Sequence, residues 1–557
     1  MKSLVCFFAA VVCMVLPLRA QWAHCGIMVS DSDRIYGYPE VCADNRGGAY
    51  VLWRNRPMFL YDTTRLDTYV ARVSPDGRVL WRKTVTVRNP SRPFDQTRGR
   101  LVANDKAEVY AAWEEIIEGR YYAVPGAFVQ KFDSAGNRLW GDDGVLASVY
   151  SCLGISLSLD GTGGIIIVSI GSNYDTFVTP WIQRLDGRGR RMWGDFGIAL
   201  RDSARPCFTT SNTEVICDGR SGDAIIAWIE VKELGDMTDR TYAQRIDSTG
   251  RILWRRGGVP LHDTLMDVIN SLALVSDCIG GSFVIWDSRE SRPSSYFHLS
   301  TVQRIDSLGY RLLGDNGMLV CDCHSRNQMV GDGRGGVWIV MSVNDPRHAL
   351  SKETYMLQRM TFYNTLVWSG NGLPVTDPPR HNYSTYKSLC PDGYRGVFVK
   401  LFGTLGFRVQ WMDDHGNRRF GNDGIPVCDP PGWKGYDEVI ANTSPGEAML
   451  GWEEGGIIRL AKINRSGIVS VSNISDALPA ALTLSDLHPN PSGSSFSVTC
   501  GVEQAMDLRI ALSDESGREI AVLFDGRGEP GSFRIPVDAS TLQDGVYFIT
   551  ARSNGAF

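Results

Sequence analysis

Three features of the 557-residue chain predict an all-β fold, an eight-bladed β-propeller followed by a small β-sandwich. A hairpin-like motif recurs along most of the chain. A second turn motif precedes each copy at near-constant spacing. After Asn473 the periodicity stops and a differently patterned segment takes over.

The hairpin motif is clearest from Gln244 to Trp254, with further copies from Val129 to Trp140 and from Gln183 to Trp193. A fourth copy runs from Gln303 to Leu313, with Leu313 in the Trp place, and weaker copies end at Trp81, Trp368 and Phe420. Apolar and polar residues alternate up to the Asp. Asp-x-x-Gly is then turn chemistry: the carboxylate bonds the amides ahead of it, and Gly136, Gly189, Gly250 and Gly309 tolerate positive φ. The Trp residues, Trp81, Trp140, Trp193, Trp254 and Trp368, are the expected docking anchors between units.

Upstream of each hairpin lies Asp/Asn-x-x-x-Gly and an apolar strand. The copies open at Asp44, Asp160, Asp218, Asp277, Asp332, Asp392 and Asn442, and Asn104 opens an eighth with Glu108 in the Gly place. Gly48 and Gly446 are 398 residues apart over seven intervals, about 57 residues per unit. Four short strands fit that length; in the fifth unit they are expected at 272–276, 282–286, 302–306 and 310–313. One such unit cannot bury both faces of its sheet, and a ring of units can. Seven blades with an accessory strand pair is the alternative.

Ring closure is legible at the ends of the repeat. Trp22 to Val29 matches the tail of a hairpin without its start, whereas the last unit, through Gly467, has a start without a tail. An N-terminal strand completing the last blade repairs both and removes two open sheet edges.

The two short turns of each unit fall on one side of the disc and the longer connections on the other. The longer segments, including 54–69, 114–127, 171–181, 287–301 and 342–355, carry Tyr61, Tyr121, Tyr122, Tyr174, Tyr296 and Phe297. Aromatics on loops held by a rigid scaffold make this the expected binding face.

Residues 1–20 read as a secretory signal peptide: Lys2, an apolar run from Leu4 to Leu16, Pro17, and a cut before Gln21. Residues 21–475 are the propeller, 476–486 a linker, and 487–557 a separate domain of short alternating strands with the outline of an immunoglobulin-like sandwich. No later stretch is apolar enough for a transmembrane helix. With 57 basic against 62 acidic residues the chain has no basic field for a nucleic acid. Eleven cysteines remain after cleavage, an odd number at irregular spacing. Cys321-x-Cys323-His324 is the one tight cluster, without a partner pair at zinc spacing.

The C-terminal segment resembles the C-terminal sorting domain of the type IX secretion system. The resemblance rests on Pro489, Asn490 and Pro491, on Gly517 within Asp514 to Arg518, and on Gly545 within Leu542 to Ile549. It implies carriage by type IX-like machinery to the outer cell surface or the medium, in a bacterium of the Bacteroidota type. The family's final strand ending in basic residues is not found before Phe557, so either the sequence is incomplete or the signal is degraded. The hairpins resemble the Trp-docked repeats of pyrroloquinoline-quinone propellers, with Gly250 to Trp254 keeping the spacing and the Asp-to-Gly step one residue shorter. Phe533-Arg534-Ile535-Pro536 repeats a sialidase motif, but in the sorting-type domain.

No nucleophile elbow, phosphate loop or zinc-protease motif is present. The repeats are nearly alike, and no blade shows a distinctive polar cluster. The chain therefore reads as an exported, monomeric, non-catalytic binding or scaffold protein without cofactor or metal, with an extracellular protein or glycan as partner. A quinoprotein-like oxidoreductase or a polysaccharide-active hydrolase or lyase is the alternative, because the fold serves both.

Overall fold

The computed structural model describes residues 25–31, 36–55, 66–87, 94–117, 126–148, 154–172, 178–200, 208–217, 222–231, 239–264, 268–292, 295–322, 324–344, 353–376, 388–403, 406–427, 436–469, 483–488, 495–502, 505–514, 519–542 and 547–553. Among these there is no helix. The chain divides into two compact units, one of them Cys25–Ser470.

This unit is an eight-bladed propeller. In each of the first seven blades four antiparallel strands follow one another from the axis outward in chain order. The innermost strands are Tyr36–Ala43, Phe94–Ala103, Ile155–Leu159, Phe208–Cys217, Val268–Ser276, His324–Gly331, Ser388–Pro391 and Tyr436–Ser444. The eighth blade is closed from both chain ends. Gly467–Val469 pairs with the hairpin half of its third strand, Ile457–Asn464, and Ile27–Met28 pairs with the other half, Ile27 opposite Leu460.

Local chemistry explains the turns. Asp44 Oδ1 accepts the amides of Arg46 and Gly48, both at 2.8 Å, while Oδ2 accepts Arg72 Nη2 at 2.8 Å. A Cβ on Gly48 would stand 2.3 Å from the Val73 carbonyl, so only glycine fits. The ion pair recurs as Arg184–Asp160, Arg304–Asp277 and Arg359–Asp332. For Asp160 and Asp392, burial alone would raise the carboxyl pKa. Amide and guanidinium donors outweigh it and hold both below the usual carboxylate range.

The first-turn motif is less uniform than its spacing implies. Blade 4 pairs Arg245 with Asp223 rather than Asp218, which lies outside the described residues. In blade 8, Asn442 pairs with Ala448 within the ladder, and the turn is the two-residue Pro445-Gly446. Blades 2 and 8 replace the Arg–Asp pair with Lys131–Glu108 and Lys462–Glu447, each at 2.8 Å, moving the acid to the far side of the turn.

Neighbouring blades are latched together at the hairpin turns. Ser134 O in blade 2 accepts both Trp81 Nε1, at 3.0 Å, and Arg72 Nη1, at 2.9 Å, from blade 1. Ser248 O accepts Trp193 and Arg184 from blade 3, and Ser307 O accepts Trp254 and Arg245 from blade 4. Each indole lies flat under a turn glycine: a Cβ on Gly136, Gly189, Gly250, Gly309 or Gly416 would meet Trp81, Trp140, Trp193, Trp254 or Trp368 at 2.7–3.1 Å. Where the Trp is Leu313, the next turn carries Asn364 at φ 63° instead of glycine.

The outermost strand differs from the sequence expectation. In blade 5, residues 310–313 make only one bridge, Ile305 to Arg311, and the fourth strand is Met318–Asp322. The cause is a buried glutamine. Gln303 Oε1 takes the Leu313 amide at 2.9 Å and Nε2 donates to Gly314 O at 2.8 Å, so the chain bulges there instead of pairing. Gln130, Gln183, Gln244, Gln358 and Gln410 do the same in blades 2, 3, 4, 6 and 7. Blade 1 has Ala71 there, and its outer strand Val79–Thr84 pairs without the detour.

Long connections are also fewer than expected. Segment 287–301 is a continuous hairpin apart from 293–294, and blades 7 and 8 turn tightly, with Gly403 opposite Gly406 and Glu454 opposite Ile457.

The second unit contains two three-stranded antiparallel sheets. One orders Thr483–His488, Ser495–Val502 and Gly531–Asp538; the other orders Glu519–Gly528, Met506–Asp514 and Tyr547–Ser553. Phe496, Val498, Leu508, Ile510, Ile535 and Val537 form its core. Phe533 to Pro536 lies within the Gly531–Asp538 strand of this unit.

Trp140→Ala is expected to cost about 3–5 kcal/mol, the loss for a buried aromatic. A loss under about 1 kcal/mol in a reversible melt is incompatible with the latch. Leu313→Trp alone should destabilise by about 1–3 kcal/mol through overpacking against Asn364. Combined with Asn364→Gly it should be recovered at least in part, which a double-mutant cycle measures directly.

Candidate functional site

Pairing around the axis is interrupted at a recurrent point. Six of the eight innermost strands carry a register shift: at Gly37/Glu40, Thr97/Arg100, Thr209/Thr213, Ile269/Ser271, His324/Gln328 and Tyr436/Val439. Such bulges re-aim side chains, here beside the central channel.

Glu40, Arg100, Ser156 and Glu214 occupy the same position in blades 1 to 4, three residues before the last rung of the innermost strand. Blades 5 to 8 carry Ala273, Gln328, Ser388 and Val439 there, so the charge is confined to one half of the ring. Arg100 Nη1 donates to Glu40 Oε1 at 2.7 Å across the first blade boundary. Ser156 Oγ donates to Glu214 Oε2 at 3.0 Å across the third and accepts the Val215 amide at 3.2 Å.

These groups also act on one another over longer spans. The Arg100 guanidinium is held above its ordinary pKa by Glu40 first, against the opposing effect of burial, with Glu214 and Glu114 adding to it. Burial raises the Glu214 carboxyl; Arg100 and Ser156 oppose that rise, and Glu40 adds to it. Arg100 and Glu214 are two blades apart, and Glu40 and Glu214 three. Glu40, Arg100 and Glu214 thus stand at one level of the innermost strands, in blades 1, 2 and 4.

Tyr38 stands within the first bulge at φ 57°, in the left-handed region, which is strained for an aromatic residue. It is 45% exposed, and the Arg54 guanidinium stacks 4.1 Å from its ring centre. The site thus combines an aromatic face, a guanidinium and carboxyl groups from different blades. That set can bridge vicinal hydroxyls and cover the apolar face of a sugar ring.

Other polar clusters are consumed by the scaffold. Asp287 accepts Ser271 Oγ at 2.5 Å, Ser300 Oγ at 2.8 Å and the Asn327 amide at 2.9 Å, tying blade 5 to blade 6. His262 Nε2 accepts the Thr241 amide at 3.0 Å, Nδ1 bonds Thr264 O at 2.6 Å, and burial lowers its pKa. Asp413, Asp414 and His415 cluster on a hairpin turn, where Asp413 accepts the amides of His415 and Asn417. Cys321 is buried, and Cys323 lies outside the described residues. Cys25 is disulfide-bonded.

Of the aromatics read as a binding face, Tyr61, Tyr121, Tyr122 and Tyr174 lie outside the described residues. Tyr296 and Phe297 are on a strand rather than a loop, opposite Ser291 and Glu290. Pro489, Asn490, Pro491, Gly517 and Gly545 also lie outside them. The reading that no blade has a distinctive polar cluster is corrected by Glu40, Arg100 and Glu214. Its only sequence signal is a charged residue at one aligned position in three of the first four innermost strands.

No family model and no curated protein matches the chain. Among solved structures, a puromycin hydrolase aligns at TM-score 0.40 and 10% identity over 75% of this chain and 61% of its own. The chain thus spans about three fifths of that enzyme's length. A protein of unknown function from Dyadobacter fermentans aligns at TM-score 0.34 and 8% identity, covering 78% of this chain and 96% of its own. An α-L-arabinofuranosidase from Fusarium graminearum, in complex with an iminosugar inhibitor, aligns at TM-score 0.34 and 9% identity over 69% and 95%.

Proposed function

We propose that the protein is an exported binding protein that holds a polyhydroxylated ligand, a glycan, at the axial site of Tyr38, Glu40, Arg100 and Glu214. The observation that carries this reading is the Arg100–Glu40 pair, 2.7 Å across the first blade boundary, with Glu214 held by Ser156 at the equivalent position of blade 4. The repeat does not require it, because blades 5 to 8 close the same ring with uncharged residues at that position. The strained, exposed Tyr38 supports it as a stacking surface. The signal-type N-terminus and the sorting-type motifs support delivery outside the cell by type IX-like machinery.

A second reading, glycoside cleavage, is favoured by one specific contrast. Burial keeps the proton on Glu214 to higher pH than on an ordinary glutamate, while Glu40 is ion-paired with Arg100. A proton-bearing acid opposite a carboxylate is the pairing that glycosidic bond cleavage uses.

A glycan array on the secreted protein, followed by turnover assays on the hits, tests both readings. Arg100→Ala should weaken binding by about 2 kcal/mol, roughly thirtyfold, with an unchanged melt. Binding that ignores Arg100→Ala and Tyr38→Ala together removes the axial site from the account. Turnover that disappears in Glu214→Gln while binding persists selects cleavage over binding alone. Mass spectrometry of the culture medium should find an N-terminus at Gln21; an intact Met1 confined to the cytoplasm refutes export.

Stability against pH gives an independent check on Glu214. Its folded-state pKa is raised, so its contribution is fully present at low pH and is lost as pH rises from the unfolded value, about 4.3, through the folded one. Glu214→Gln should therefore melt higher than the parent at neutral pH and equal it below about pH 4. An equal gap at both pH values contradicts the assignment.

A further inference from the structure

We propose that the short-turn face of the propeller docks on an anionic lipid surface. Turn tips of this face are polar or small in blades 1 to 4: the third residue of the hairpin turn is Asp76, Ala135, Arg188 and Thr249. Blades 5 and 6 carry Leu308 and Tyr363 at that position, 73% and 83% exposed. Tyr310 and Ile279, from the two turns of blade 5, are 66% and 62% exposed. These tips adjoin. A Cβ on Gly280 would lie 3.4 Å from Ser307 Cβ, and Arg304 Nη1 joins the blade 6 turn through Phe362 O at 2.5 Å and Asn364 Oδ1 at 3.2 Å.

The patch is convex. Its residues stand on the tips of tight turns rather than lining a groove, so they are shaped to enter a soft interface rather than to receive a side chain. Tyrosine suits such an interface, with its ring in the apolar zone and its hydroxyl at headgroup level.

Charge on this face is layered in a way that selects the occupant. Its first-turn acids Asp44, Asp160, Asp277 and Asp392 are at most 1% exposed, each taken up by turn amides and an arginine or by its own turn; the hairpin-turn acids Asp76, Asp133, Asp186, Asp247 and Asp306 are half-buried, and Asp105 is exposed beside Lys106. The bases Arg46, Lys106, Arg188, Arg251 and Arg334 are exposed at the tips. Fully exposed charge on these turns is therefore mostly positive, with Asp105 against Arg46, Arg78, Lys106, Arg188, Arg190, Arg251 and Arg334, although the whole chain is formally −5. Apolar tips in one sector with bases spread around the rest match a negatively charged bilayer.

The test is co-sedimentation of the secreted full chain with phosphatidylcholine vesicles, with and without phosphatidylglycerol. Binding is expected to the anionic vesicles, falling as salt rises. Leu308→Ser with Tyr363→Ser should reduce it about tenfold or more. Arg46→Gln, Lys106→Gln and Arg188→Gln should each reduce it about fivefold, on a second, apolar-intact variant. Unchanged melts are the control, and the exposed positions make them the expectation. No binding to anionic vesicles, or binding indifferent to both sets, overturns the proposal. So does light scattering that shows a dimer in buffer which Leu308→Ser with Tyr363→Ser dissolves, because the patch is then a self-association surface.

Discussion

The hairpin-turn carbonyl that accepts donors from the preceding blade, shared by an indole and a guanidinium at Ser134, Ser248 and Ser307, is the contact on which the ring depends. One oxygen, such as Ser134 O, takes an indole N–H and a guanidinium N–H from the preceding blade. The guanidinium is itself fixed by the first-turn aspartate of its own blade, so three elements of two blades meet at one point. Removing any one breaks hydrogen bonds from both partners at once, each contributing about 0.5–1.5 kcal/mol. Packing adds to this, because the ring of each indole fits only where the facing turn has no side chain.

Substitutions within the repeat follow this geometry. The acid moves from the start of the first turn to its end in blades 2, 4 and 8, and the charge pair survives each time. In blade 7, Trp411 occupies the arginine position and donates to Asp392, which a guanidinium from blade 8, Arg465, also reaches. What persists is therefore a buried acid with a donor in place, not a particular residue at a particular column. A simple motif search sees the aspartates and loses the blades in which the acid moved.

This difference sets what could be read from the sequence. Blade count, the Asp/Gly turns and the completion of blade 8 from the N-terminus all follow from local spacing and were legible. The outer strands were displaced because Gln303 and its counterparts divert the chain, and a buried glutamine in a strand looks like any other alternating polar residue. The axial cluster escaped for a different reason. Glu40, Arg100 and Glu214 lie up to 174 residues apart (214 − 40), and only closure of the ring brings them together. Bulges such as Gly37/Glu40 decide which side chain faces the axis, and they leave no mark in a period-2 pattern beyond a glycine that turns use as well.

The division between a repeated exterior and a varied interior has a mechanical basis. Latches at the hairpin turns hold blade to blade at one face of the ring, so the innermost strands can bulge without opening it. There the inner strands satisfy themselves by short side chains, as Ser158 Oγ does for the Cys217 amide at 3.0 Å. Positions freed in this way accept residues that a packed strand rejects, including a strained Tyr38 and the Arg100–Glu40 pair. Stability held at the turns is thus what permits a charged cluster at the axis that half of the ring does without, its Arg100–Glu40 pair open to water and to a ligand.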